Sequence, residues 1–144
     1  MINRQGFALI ELMVVMTITG VLIAIAFPLY QNYIVKSQVT AAIAELNSAK
    51  SQYELIINNG SVSGSSDFTV SNMFFSGGGS DMCIYEVNAP NSSGEASQAL
   101  VCKFHNVAAV LNGKFVYLKR NAQGVWSCST SNEIVIGLKP VNCA

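Results

Sequence analysis

The chain has 144 residues, with eight lysines and arginines against eight aspartates and glutamates and a single histidine, so no overall charge draws it toward nucleic acid or acidic partners. Half of it (51%) is apolar and only 11% is charged, against roughly 25% charged in an ordinary soluble domain. That balance suits one small domain with an appended segment that lies in lipid or in a protein-packed core.

Met1 to Gly6, "MINRQG", is short and polar and carries Arg4. A positive charge ahead of an apolar run keeps that end cytoplasmic and sends the rest outward. From Leu12 to Tyr30 no residue is charged, and nineteen residues in a helix rise about 28 Å, the thickness of a bilayer's hydrocarbon core. A secretory signal peptide has a shorter apolar core and a small-residue cleavage site, which Ala24-Ile25-Ala26 imitates weakly. The helical pattern continues past Tyr30, which argues against removal there. Glu11 stands near the start of the run between Ile10 and Leu12. A carboxylate at membrane depth costs at least a few kcal/mol unless neutralised, which makes it a functional candidate. Pro28 has no N–H for the carbonyl of Ala24, and Gly20 is a second weak point, so Gly20 to Pro28 is the stretch most easily bent or melted.

Beyond the run, Val35, Val39, Ala42, Leu46, Ala49, Tyr53 and Ile56 advance by alternating steps of four and three. This is one apolar stripe on a helix, with Lys36, Gln38, Glu45, Lys50, Gln52 and Glu54 mostly off it. The stripe predicts packing against a sheet, on a single helix from about Phe7 to Asn58 that ends at Asn58-Asn59-Gly60. Residues 60–82 are rich in glycine and serine and read as a long surface connection pinned by Met73-Phe74-Phe75.

The remainder reads as strands. "CIYEVN" (83–88) and "LVCKFH" (100–105) fold about "APNSSGEA" as a hairpin with Cys83 opposite Cys102. Cys83, Tyr85, Val87, Leu100, Cys102 and Phe104 then share one face, and Glu86 and Lys103 the other. "VAAVLNGKFVYLKR" holds Asn112-Gly113 between two β-prone runs, a favoured hairpin turn, and "NAQG" turns into "VWSCST". The expected fold is α+β, with a long N-terminal helix packed on a four-stranded antiparallel sheet (83–130) and a terminal loop (128–143).

All four cysteines follow the apolar run. Their even number and wide spacing suit two disulfides in an oxidising compartment. Zinc sites usually show a C-x(2–4)-C pair, which this chain lacks. The hairpin favours Cys83–Cys102, while Cys128 and Cys143 enclose the final loop, and each closure would stabilise by roughly 3 kcal/mol. Four cysteines allow three pairings, all still open at this point.

Nothing converges for catalysis. His105, the only histidine, lies on a predicted strand and reads as an exposed sheet residue. There is no HExxH, no phosphate-binding glycine loop and no pair of acids at useful spacing. Gly77-Gly78-Gly79 is a flexible loop, and Asp67 and Asp81 match no calcium-loop spacing. No enzyme activity, catalytic residue, cofactor or metal is expected. Between Glu95 and Glu133 there is no acid, whereas Lys103, Lys114, Lys119 and Arg120 are present. That strip on one sheet face suits contact with phosphates; the plainer readings are a solvated face or contact with acids of neighbouring subunits.

The stretch "GFALIELMVVMTITGVLIAIAFPLYQNY" resembles the leader junction of the type IV pilin family, with Gly, then Phe, then Glu as fifth residue of the mature chain. The similarity runs from Gly6 to about Tyr53, and "GVWSCSTSNEIVIGLKPVNCA" looks like the family's disulfide-bonded terminal loop. Ala8 stands where Thr is more usual. The resemblance implies a leader of residues 1–6, cutting between Gly6 and Phe7 by a prepilin peptidase, and N-methylation of Phe7. It implies that residues 7–30 hold the subunit in the inner membrane, with the head (31–144) in the periplasm. The inner-membrane pilus assembly machinery would then build a helical filament of identical subunits, a type IVa pilus outside the cell. Glu11 would pair with the Phe7 ammonium of the adjacent subunit, and Gly20 to Pro28 would lose helicity on assembly. Adhesion to host surfaces, twitching motility or DNA uptake would follow. The alternatives are a minor pilin that receives DNA through Lys103, Lys114, Lys119 and Arg120, and a type II secretion pseudopilin. Major pseudopilins as a family lack the terminal disulfide loop and often carry a calcium site there.

Overall fold

The computed structural model describes residues 4–60, 66–74 and 77–144. Helix α1 (Arg4–Asn58) is followed by a one-turn α2 (Val70–Phe74). Strands β1 (Cys83–Val87), β2 (Ala96–Phe104), β3 (Phe115–Arg120) and β4 (Trp126–Thr130) come next, then a 3-10 turn at Ile136–Leu138. The strands form one antiparallel sheet in the order β1-β2-β3-β4. The fold is α+β, as expected. Two units divide the chain, Met1–Ile34 and Val35–Ala144.

In the second unit all seven stripe residues of α1, from Val35 to Ile56, are buried, along with Leu100, Cys102, Phe104, Val116 and Leu118 of the sheet. They belong to one cluster. Each such side chain stabilises by about 1.5–3 kcal/mol when fully removed from water, which is why the four-and-three spacing marks the seam. Disulfides join Cys83 to Cys102 and Cys128 to Cys143.

Four local expectations need correcting. Cys83 stands opposite Phe104, and Tyr85 opposite Cys102, a slip of two from the expected register. The return from the turn carries one residue more than the outgoing arm, since Asn91 pairs with Glu95 but Asn88 with Ala99. A slip of two leaves every side chain on its face, so the cysteines meet diagonally, with Cα atoms 5.0 Å apart. Second, residues 107–111 form turns and no strand. Leu111 is buried in the core and the Ala108 N–H is tied to Gln38 Oε1 of α1 at 3.2 Å, so this segment packs instead of pairing. Asn112-Gly113 is still a turn, with Gly113 at φ +77° and its N–H on the Phe104 carbonyl. Third, the 60–82 connection contains a helical turn, in which Met73 is buried and Phe74 stacks on Tyr85 with centroids 3.8 Å apart. Phe75, the third member of the expected apolar knot, lies outside the described residues. Fourth, His105 falls just after β2 and is half-buried, with Nε2 3.0 Å from the Ser80 carbonyl.

Both edges of the sheet are partly covered. On β1, Ser80 N–H donates to Cys83 O at 2.8 Å and Tyr85 N–H to Gly78 O at 3.0 Å. On β4, Ala144 N–H donates to Cys128 O and Thr130 N–H to Ala144 O. Unpaired strand edges invite pairing with other chains, and here backbone partners already occupy part of each.

One ion pair fastens α1 to the far end of the sheet. Arg120 holds Glu54 with two hydrogen bonds, Nε to Oε1 at 2.7 Å and Nη2 to Oε2 at 3.0 Å. Trp126 Nε1 donates to the same Oε1 at 2.7 Å. The guanidinium lies between two turns of one design, "NSSGE" (91–95) and "NAQGV" (121–125). In each, the asparagine side-chain oxygen accepts two backbone N–H groups, and the fourth residue is a glycine at positive φ. A Cβ at Gly94 or Gly124 would stand 3.0 or 3.2 Å from the guanidinium nitrogens, so glycine is needed for its conformation and for its lack of a side chain. Arg120 Nη1 also donates to the Gly94 carbonyl at 2.5 Å.

The hydrogen bonds from Arg120, aided by Trp126 and opposed by burial, hold the Glu54 carboxyl below the usual glutamate range. A depressed carboxyl contributes stability that is present above the unfolded value, about 4.3, and is lost as pH falls through the folded value. Melting of the full chain between pH 6 and 3 should therefore show an acid loss of stability that is smaller in Glu54→Gln. Glu54→Ala should cost on the order of 2 kcal/mol at neutral pH. Gly94→Ala should destabilise by at least about 1–2 kcal/mol, and a double-mutant cycle with Glu54→Gln should be non-additive, because both act through Arg120. Additive losses would show that the turn and the ion pair are independent.

Candidate functional site: the uncovered apolar helix

The first unit is a helix whose side chains from Gly6 to Tyr33 are all exposed. Seventeen large apolar or aromatic residues between Phe7 and Tyr33 are 49–71% exposed. The most apolar eighteen-residue window has a mean hydropathy of 2.5 and contains no buried residue. By the value of about 1.5–3 kcal/mol for burying each such side chain, leaving this surface in water forgoes tens of kcal/mol. Length and composition suffice to cross a bilayer, where a helix satisfies its own backbone groups.

The polar residues of the segment behave in two ways. Thr17 Oγ1 donates back to the carbonyls of Met13 (3.0 Å) and Val14 (2.8 Å), and Thr19 Oγ1 to those of Val15 and Met16. Hydroxyls bonded in this way need no outside partner. Glu11 is different. Among the described residues the only ion pair is Glu54–Arg120, and none of them partners the Glu11 carboxylate. Phe7 lies four residues earlier, so its backbone nitrogen is one turn away along the same face. Pro28 sits within the continuous α1 and leaves the Ala24 carbonyl without its usual donor. No atom comes within 4 Å of a Cβ built on Gly20, so nothing in its own chain requires a glycine there.

The four expected basic residues do not form one strip. Alternation along β3 puts Arg120 with the buried Val116 and Leu118, and it is 9% exposed and engaged by Glu54. Arg120 is therefore removed from the candidate phosphate surface. Lys103 and Lys119 take the other face, with Lys119 Nζ 5.9 Å from the Tyr117 ring centroid. Lys114 lies just before β3 and donates to the Glu133 carbonyl at 2.7 Å. Among the described residues no cluster of three or more histidines, cysteines, aspartates or glutamates is placed to hold a metal ion.

Two acids that lie off the apolar stripe are fasteners. Besides Glu54, Glu45 Oε2 accepts from Ser80 Oγ at 2.8 Å and Tyr85 OH at 2.7 Å. Burial, and then the bond to Glu45, raise the Tyr85 hydroxyl above its ordinary range. Both acids adjoin the stripe in sequence, next to Leu46 and Tyr53, and that adjacency was the available signal. The loop closed by Cys128 and Cys143 presents Val135, Ile136 and Val141 to solvent.

Comparison with known proteins agrees with this arrangement. A family model described as pilin (bacterial filament) matches residues 35–144, and one for the prokaryotic N-terminal methylation motif matches residues 1–27. The type IV major fimbrial protein FimA of Dichelobacter nodosus is 33% identical, over 97% of this chain and 94% of that protein. Fimbrial protein EcpB of Eikenella corrodens is 32% identical over 89% and 86%, and a probable minor fimbrial protein of Dichelobacter nodosus is 32% identical over 90% and 89%. With its methylation motif, its uncovered helix and its disulfide-bonded head, the chain belongs to the pilin family of bacterial filament proteins.

Proposed function

We propose that this chain is the major subunit of a type IVa pilus and polymerises through the first half of α1 into an extracellular filament used for adhesion, twitching motility or DNA uptake. The observation that carries the reading is the apolar surface from Phe7 to Tyr33 with one unpartnered carboxylate in it. Before assembly the segment lies in the inner membrane with the head in the periplasm, where the two disulfides form. The prepilin peptidase cuts between Gly6 and Phe7, and the new amine of Phe7 is methylated and stays cationic. The inner-membrane assembly machinery then moves the helix from lipid to a bundle of identical helices.

Glu11 sets the register of that move. An unpaired carboxylate is costly at membrane depth, and the Phe7 ammonium of the adjacent subunit supplies the missing counter-ion. Removing one member of a buried pair costs about 3–5 kcal/mol, enough to decide where an incoming helix stops. Gly20 to Pro28, with a free Ala24 carbonyl and no side chain at Gly20, is the stretch that loses helicity as the bundle forms.

The runner-up, a minor pilin that receives DNA, rests on Lys103, Lys114 and Lys119, because Arg120 is spent on Glu54. Relatives bear both major and minor names, so abundance in sheared fibres and a gel shift with the purified protein separate the two. A pseudopilin is disfavoured by the terminal disulfide loop. In cells, Glu11→Gln and Glu11→Val should leave a processed, membrane-held subunit but at least tenfold fewer sheared fibres; undiminished fibres refute the role of Glu11. The mass of the fibre subunit should correspond to a start at Phe7, one added methyl and the loss of four hydrogens to two disulfides, and an uncut Met1 start would contradict the processing step.

A further inference from the structure

A cleft of about 360 Å³ opens in the head between the second half of α1 and the terminal loop, with apolar walls at Ile43 and Leu118 and polar ones at Thr40, Asn47, Ser127 and Asn142. Lys50 and Trp126 both line it, and the Lys50 ammonium stands 5.7 Å from the centroid of the Trp126 ring. Among the described residues no carboxylate pairs with that cation. Glu54, one turn further along α1, is occupied by Arg120 and Trp126, and no other ion pair exists among the described residues. The Trp126 N–H is spent on Glu54. Burial holds the Lys50 ammonium below the usual lysine range, the direction expected of a partly desolvated cation lacking a counter-charge.

The volume is at the lower end of small-ligand sites, about 300–1,000 Å³. One ammonium beside an aromatic face, with Ile43 and Leu118 on one part of the wall and neutral polar side chains on the rest, suits a singly charged anion with an apolar body. A phosphate dianion would find one cation for its two charges, whereas a carboxylate needs one charge partner and brings carbon to Ile43 and Leu118. We propose that the Lys50–Trp126 cleft binds a carboxylate carried on a short apolar body, from a small organic acid or from an acidic side chain of a second copy of this chain.

Trp126 is the only tryptophan, so its emission reports on the cleft directly. The full chain in a neutral detergent should show a saturable change in Trp126 emission with sodium hexanoate, and hexanamide, the same shape without charge, should bind at least tenfold more weakly. Lys50→Met should lose the hexanoate response by at least tenfold and Lys50→Arg should keep it, with near-ultraviolet dichroism confirming that both heads are folded. A response that is linear and shared by hexanamide, or one unchanged in Lys50→Met, overturns the proposal. The same titration on assembled fibres separates the two sources. A retained response assigns the site to a free small acid, and a lost response means that a neighbouring copy already supplies the carboxylate.

Discussion

An apolar helical surface with no cover in its own chain is the constraint on which the rest of this molecule depends. Seventeen large side chains between Phe7 and Tyr33 stand in the open, and the free energy at stake, tens of kcal/mol, exceeds the net stability of an ordinary domain. Such a segment needs lipid, or other helices, at every stage. The polar side chains in it fall into two kinds: the two threonine hydroxyls bond back to their own helix, and Glu11, which has no partner among the described residues, lies one turn from Phe7. A lone carboxylate in such a surface discriminates among otherwise equivalent sliding positions, because apolar contacts alone carry no register.

The head complements this with sheet edges that are already partly paired. Backbone partners occupy part of both outer strands of its sheet, and the Cys128–Cys143 disulfide fixes the segment that covers β4. Where the helix joins the head, burial along the stripe is reinforced by two carboxylates nine residues apart in sequence. Glu45 holds the connection through Ser80 and Tyr85, and Glu54 holds the end of the sheet through Arg120 and Trp126. The matched turns at Asn91 and Asn121 place a glycine on each side of the Arg120 guanidinium, so two hairpins close around a cation that is itself bound to the helix. The second half of α1 is thus tied to the sheet through directional, partly desolvated bonds as well as through apolar contact.

Much of this was legible in the residues. The apolar run, the seven-position stripe, the helix end at Asn58 and the turn at "NAQG" follow from local periodicity and turn chemistry, and the structure places them as expected. Misreadings arose where partners distant in sequence decide the outcome. Arg120 looked like part of a basic strip because its neighbours Lys119 and Lys114 are basic, and only the alternation of β3, taken with Glu54 sixty-six residues earlier, reveals that it points inward. The segment 107–111 has strand composition but is drawn into the core by Leu111 and held by Gln38. The hairpin register slipped because the turn pairs Asn91 with Glu95, one beyond the expected register, and the returning arm adds one residue more, and neither shift leaves a compositional trace. For the candidate site, Glu11 was plain as the odd residue in the run, while the partner proposed for it, the Phe7 ammonium of an adjacent subunit, lies outside any single chain.

The most direct test of the central claim follows the apolar surface through assembly. The protein has no free cysteine among its described residues, so Ile18→Cys gives one position for a nitroxide in the middle of the run. In membranes the label should relax with dissolved oxygen and ignore a water-soluble nickel chelate. In fibres it should lose the oxygen response and show dipolar broadening from labels on neighbouring copies. A label that stays open to the aqueous reagent in either state, or fibres without dipolar broadening, would mean that something other than sister helices covers this surface.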